Sequence, residues 1–172
     1  MKFPSRRPFQ AATLVVATSV SGFLFASGSH GGSSFPPVDN PKWKAECVSC
    51  HVLYHPALLP ERSWRKLMQG LDQHFGENAS VDAATQREIA DFLVANSADR
   101  SNSRRAQKIM QTIPTGATPL RSSETGYFIR KHDELSAAVW KREAIGSKAN
   151  CVACHAGAAD GNFDEHAVHI PR

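Results

Sequence analysis

The chain has 172 residues, a formal net charge of +4, and only four cysteines. This length is consistent with one domain. Lys2, Arg6 and Arg7 carry three of the net positive charges, so the remainder is nearly neutral and has no electrostatic basis for nucleic-acid binding.

In chain order, the basic start is followed by an apolar stretch, Ala11 to Ala26, and then by the small residues Ala26-Ser27-Gly28-Ser29. This layout predicts a cleaved secretory signal over residues 1–28 and a soluble mature protein in the bacterial periplasm. The stretch is shorter than the ~20 apolar residues a spanning helix needs. Residues 29–42, rich in Gly, Ser and Pro, read as a flexible leader. The rest, 43–172, reads as one all-α domain with extensive loop. It divides into a first half at 43–98, a connector at 99–118 and a second half at 119–172.

Within the domain, Trp43 to His55 suits a short helix. Pro60 to Phe75 reads as an amphipathic helix with Trp64, Leu67, Met68, Leu71 and Phe75 at helical spacing, stopped by Gly76. Asp82 to Ala98 reads as a second helix, with Ser80 or Asp82 as its cap and Ile89, Phe92 and Leu93 inward. Asp99 to Gly116 is polar, basic and Pro-interrupted, and reads as a connector. Ser122 to about Val139 reads as a third long helix. Strand-like alternation is nearly absent.

All four cysteines fall in two copies of one pattern, Cys47-Val48-Ser49-Cys50-His51 and Cys151-Val152-Ala153-Cys154-His155. C-x-x-C-H is the attachment signal for c-type haem. Its two thiols lie about one turn apart, so each can add to a porphyrin vinyl group, and the histidine ligates iron from below. A zinc ribbon would bring its pairs closer together and would not explain the trailing histidines. A thioredoxin-like pair would need a βαβ context. The pattern therefore predicts two covalently bound haem c groups, attached at Cys47, Cys50, Cys151 and Cys154, with His51 and His155 as proximal iron ligands. No Ser/His/Asp set, paired carboxylate or Gly-rich phosphate loop stands out, and no catalytic residue is assigned.

The sixth ligand decides what each iron can do. Met68 lies on an apolar stripe as core filler, and Met110 lies in the basic connector. His74 is three residues after Leu71 and next to Phe75; His132 is four after Phe128 and precedes Leu135. Both share a face with apolar residues and are the favoured distal ligands. His55, four after His51, is a weaker candidate; His166 and His169 lie in the tail, and His30 in the leader. Tyr54, Trp64 and Phe75 are expected around the first haem, and Phe128, Trp140 and Phe163 around the second. Arg62, Arg65, Arg121, Arg130 and Lys148 are candidates to pair with propionates.

Beyond the pentapeptides, Tyr54-His-Pro-Ala-Leu-Leu-Pro60, Ser63-Trp64, Leu67-Met68 and His74-Phe75-Gly76-Glu77 resemble the first half of the bacterial periplasmic dihaem cytochrome c (DHC-type) family. Pro119-Leu-Arg121, Thr125, Phe128, His132, Ser147-Lys-Ala-Asn-Cys151, Gly161-Asn-Phe163 and Ile170-Pro171 resemble its second half. The resemblance implies an electron carrier with bis-histidine ligation of both haems, and it matches His74 and His132 to non-motif histidines of that family. It also implies partners: a small high-spin, oxygen-binding monohaem cytochrome and a membrane b-type cytochrome. The competing reading is a dihaem enzyme, a peroxidase or nitrite-type reductase, with one open iron and polar distal groups, either His55 or a displaced distal ligand. A gas-binding sensor ranks last, since no output domain is visible.

Overall fold

The structure is a computed structural model that describes residues 34–172. The expected signal at 1–28, the first part of the leader and His30 lie outside the described residues. Six α-helices follow in order: α1 Pro41–Cys47, α2 Glu61–Gln69, α3 Ala83–Ala95, α4 Arg104–Met110, α5 Gly126–Lys131 and α6 Ala137–Trp140. Six short 3-10 turns punctuate them. Among the described residues, β pairing is limited to two isolated bridges, Ser34 with Asn162 and His74 with Glu77. The expected all-α class with extensive loop is what the chain adopts.

The described part of the leader is tied down. Phe35 is 3% exposed, and its N–H donates to the Gly161 carbonyl at 2.9 Å. Asn40 accepts from the Trp43 N–H at 2.8 Å and caps α1, with Pro41 in the first turn. The Gly/Ser/Pro composition suggested flexibility, but one buried aromatic and one cap suffice to order residues 34–42.

α2 is shorter than its apolar periodicity suggests. It stops at Gly70, and the chain continues through a 3-10 turn at Leu71–Gln73. Trp64 and Met68 are buried as expected, but Phe75 is 47% exposed. α3 begins where Asp82 accepts from the N–H groups of Ala84 and Thr85. α2 and α3 pack together, and Trp43, Leu59, Trp64, Met68, Ile89, Leu93 and Val94 form the first core.

The connector contains a helix. Ser103 caps α4 by accepting from the Ala106 N–H at 3.1 Å. Ala106, Ile109 and Ile113 recur at helical spacing and enter a second core with Phe35, Ala57 and Ala98.

The long helix expected over 122–139 is broken into a 3-10 turn at Ser122–Glu124, then α5, then α6. Thr125 caps α5. Gly126 lets α5 approach α4: a Cβ there would stand 3.2 Å from the Thr112 Cβ. α5 ends because the His132 ring folds back and its Nδ1 takes the Phe128 carbonyl at 2.8 Å. That carbonyl is the one the His132 N–H would occupy in a continuing helix; the N–H turns to Ile129 instead. No helix among the described residues is long and apolar enough to cross a membrane.

Candidate functional site

Each pentapeptide sits at the edge of a short element. Cys47 is the last residue of α1, and Cys50 and His51 follow in a turn. Cys151–Ala153 is a 3-10 turn, and the His155 N–H donates to the Cys151 carbonyl at 2.8 Å. The first motif was expected on a helix, but the helix ends at its first cysteine. No disulfide joins any of the four cysteines. Burial pushes the Cys47 thiol up to about 11, with Glu46 adding to the effect. A redox-active C-x-x-C pair needs the opposite, a depressed thiol.

Each motif histidine faces a second imidazole far away in sequence. The ring centres of His51 and His74 are 6.2 Å apart with planes at 27°; those of His132 and His155 are 6.1 Å apart with planes at 79°. Two imidazoles bound on opposite sides of one metal ion, with metal–nitrogen bonds of about 2.0 Å and about 1.1 Å from nitrogen to ring centre, have centres about 6 Å apart. Both pairs fit an iron between them.

The ring nitrogens fit that chemistry as well. His51 Nδ1 lies 2.7 Å from the Val52 carbonyl, and His132 Nδ1 lies 2.8 Å from the Phe128 carbonyl. A carbonyl can only accept, so in both rings Nδ1 carries a proton and Nε2 is the nitrogen left to face a metal. Burial lowers the affinity of His74 and His155 for a proton, reinforced by the facing His51 and His132 respectively. Both are neutral near pH 7. Their Nδ1 atoms are buried without a partner among the described residues.

Around the first pair, Tyr54 lies 5.1 Å from His51 and Phe75 lies 4.8 Å from His74, centre to centre. Trp64, expected here, instead sits in the first core and donates its indole N–H to the Pro56 carbonyl at 2.7 Å. Around the second pair, Phe128 stacks on His132 at 4.0 Å, Trp140 lies 5.8 Å from His132, and Phe163 lies 5.5 Å from His155. These groups, with Cys151 and Cys154, line a cavity of about 410 Å³. Tyr54 links the two halves by donating its hydroxyl to the Ala149 carbonyl at 2.7 Å. Burial pushes that phenol up to about 12, so it stays a donor.

The five weaker candidates fall away. His55 is 5% exposed and uses both nitrogens: Nδ1 accepts from the Ala57 N–H at 3.1 Å, so Nε2 donates to the Pro36 carbonyl at 2.9 Å. It has no lone pair left for iron and faces Phe35 in a ring stack. His166 and His169 are exposed in the tail. Met68 is core, and Met110 packs against the second cluster.

Among the expected propionate partners, Arg62 donates to the Ala117 carbonyl, Arg65 pairs with Glu61, and Arg121 pairs with Glu124 while covering Phe75. Arg130 and Lys148 remain on the cavity wall, with Arg130 over Tyr127 and Lys148 over Trp140. Arg105, in α4, also lines the cavity. Reading 99–116 as a loop hid it; the Ser103 cap and the Ala106/Ile109/Ile113 spacing are the signals that reveal it.

Two facing imidazole pairs, each next to a C-x-x-C pair in an all-helical chain, define a c-type cytochrome with two haems. The chain belongs to the dihaem cytochrome c family, whose profile matches residues 43–163. It is similar to a solved diheme cytochrome c from Rhodobacter sphaeroides at 45% identity, covering 74% of this chain and 98% of that one, with a TM-score of 0.66. It is also similar to a diheme cytochrome type c from Shewanella baltica OS155 at 36% identity, covering 77% of this chain and 93% of that one, with a TM-score of 0.63. No curated protein sequence matches it. The chain therefore carries two covalently bound haem c groups.

Proposed function

We propose that the chain is an electron carrier in which both irons are closed by two imidazoles. Cys47 and Cys50 would hold the first haem, with His51 and His74 supplying the imidazoles for its iron. Cys151 and Cys154 would hold the second, with His155 and His132. The observation that carries this reading is the pair of imidazole spacings, 6.2 and 6.1 Å, each matching trans ligation.

Haem iron held in this way gives and takes one electron at a time. The residues do the rest. The Val52 and Phe128 carbonyls orient His51 and His132, and Phe128, Trp140 and Phe163 keep water from the second site. With both axial positions filled, substrate has nowhere to bind, which favours transfer over catalysis. The rival reading, a peroxidase or nitrite-type reductase, is left with only a displaced distal ligand, since both nitrogens of His55 are engaged elsewhere. The signal-like residues 1–28 favour export to the periplasm, where redox proteins would be the partners. The high-spin monohaem cytochrome and membrane b-type cytochrome implied by the family resemblance are the first to test.

Absorption spectra of single variants test the ligands. His74→Ala and His132→Ala should each turn one haem of two high-spin and leave the other low-spin. A variant with two unchanged low-spin haems rejects that histidine.

A further inference from the structure

Arg105 rises from the first turn of α4 onto the wall of the 410 Å³ cavity that also holds Cys151, Cys154, His155 and His132. Its guanidinium is fixed in place. Nη1 donates to the Tyr127 hydroxyl at 3.2 Å, Nη2 donates to the Phe163 carbonyl at 3.2 Å, and the group lies over the Phe163 ring at 5.8 Å. Its Nε is buried and finds no partner among the described residues.

A guanidinium cannot shed its proton, so a buried Nε–H without an acceptor is a standing cost. The charge also has no carboxylate in direct contact, although Glu165 is near enough to feel it. Asp133, Glu134 and Glu165 line the same cavity, but among the described residues none pairs with Arg105, and Glu165 is taken by Lys131. Both existing bonds go to neutral oxygens. Each terminal nitrogen keeps one hydrogen beyond the bonds to Tyr127 and Phe163, and together they form the planar edge that a carboxylate accepts.

We propose that Arg105 binds a propionate carboxylate of the haem in this cavity and holds that haem's reduction potential up. This rests on the assignment of the second haem to Cys151, Cys154 and His155. Reduction adds one negative charge to the iron. A cation that neutralises a nearby carboxylate favours the reduced form, and its removal leaves the carboxylate's charge uncompensated. Arg105 touches the cofactor periphery through charge and geometry; Tyr127 and Phe163 aim it.

The test uses the two-haem protein, with peptide mass mapping first and an EPR-monitored redox titration second. The His74→Ala and His132→Ala variants assign each signal to its haem. In Arg105→Gln the second haem should become about tenfold harder to reduce, equivalent to about 59 mV for one electron, with the first haem unchanged. Arg105→Lys, which keeps the charge but not the planar edge, should recover part of the shift. An unchanged second potential in Arg105→Gln, or an equal shift in both haems, overturns the proposal. If Arg105→Gln fails to load the haem, Arg105→Lys decides: a smaller fall confined to the second haem supports the proposal, and no fall overturns it. A parent protein whose Cys151–Cys154 peptide carries no haem would refute the underlying site assignment instead.

Discussion

The two halves of the molecule bury their apolar side chains against different things. In the first half, α2 and α3 pack on each other, and two tryptophans, Met68, Ile89 and Leu93 interlock beneath them. In the second half, α5 and α6 have no buried residue, and Phe128 and Trp140 face the cavity, while Phe163 lines it and also packs on the second core. The braces on the imidazoles are also exchanged. The motif histidine is held by a carbonyl in the first half, its long-range partner in the second. His74, the unbraced partner, opens a tight turn in which Phe75 and Gly76 have φ of 54° and 102°. The first half thus has a side-chain core of its own, whereas α5 and α6 serve mainly as walls of the second cavity.

The strongest way to break this contrast is to remove one attachment at a time. Cys151→Ala/Cys154→Ala should abolish amide-exchange protection across α5 and α6 while α2 and α3 stay protected. Cys47→Ala/Cys50→Ala should leave α2 and α3 partly protected. Equal loss from both would erase the distinction.

Truncations sharpen it at a smaller scale. Leu93→Ala, in the first core, should cost about 3 kcal/mol in urea unfolding of the two-haem protein. Ile129→Ala, at a side chain 57% exposed on α5, should cost under about 0.5 kcal/mol. Comparable costs would mean that α5 is packed more firmly than its exposure indicates.

A pH-dependent effect lies at the junction between the halves, where His55 meets Phe35 and Gly161. Burial holds the His55 imidazole below the usual histidine range, outweighing its bond to the Pro36 carbonyl. The unfolded chain takes up that proton near pH 6.5 while the folded chain does not, so stability is full above this pH and falls below it. One such histidine contributes a slope of at most about 1.4 kcal/mol per pH unit. Unfolding between pH 7 and 5 should show a shallower slope in His55→Asn than in the parent; identical slopes would remove His55 from the acid response.

Much of the site was legible because its chemistry is written in short spacings. C-x-x-C-H needs no tertiary context, and the α3 pattern around Ile89 and Leu93 points inward by periodicity alone. The misses came where a side chain overruled the backbone. The apolar stripe of α2 runs on to Phe75, yet Gly70 lets the chain leave the helix, which exposes Phe75 while the turn still carries His74 beside His51. The 122–139 stretch is helical in pattern, but the His132 ring captures the carbonyl the helix would need. α4 was hidden by its arginines, although Ser103 and the Ala106, Ile109, Ile113 spacing mark it. The i+4 offset of His55 from His51 already made it a weaker candidate; only the folded positions of Pro36 and Ala57 reveal that its nitrogens are spent.

The most direct measurement is the EPR spectrum of the oxidised, unmodified protein. The angle between two axial imidazole planes governs the anisotropy of low-spin iron, and the pairs here stand at 27° and 79°. Two low-spin signals in equal amounts are expected, the near-perpendicular pair giving the more anisotropic one. A high-spin signal amounting to one iron per chain would contradict the closed, two-imidazole relay.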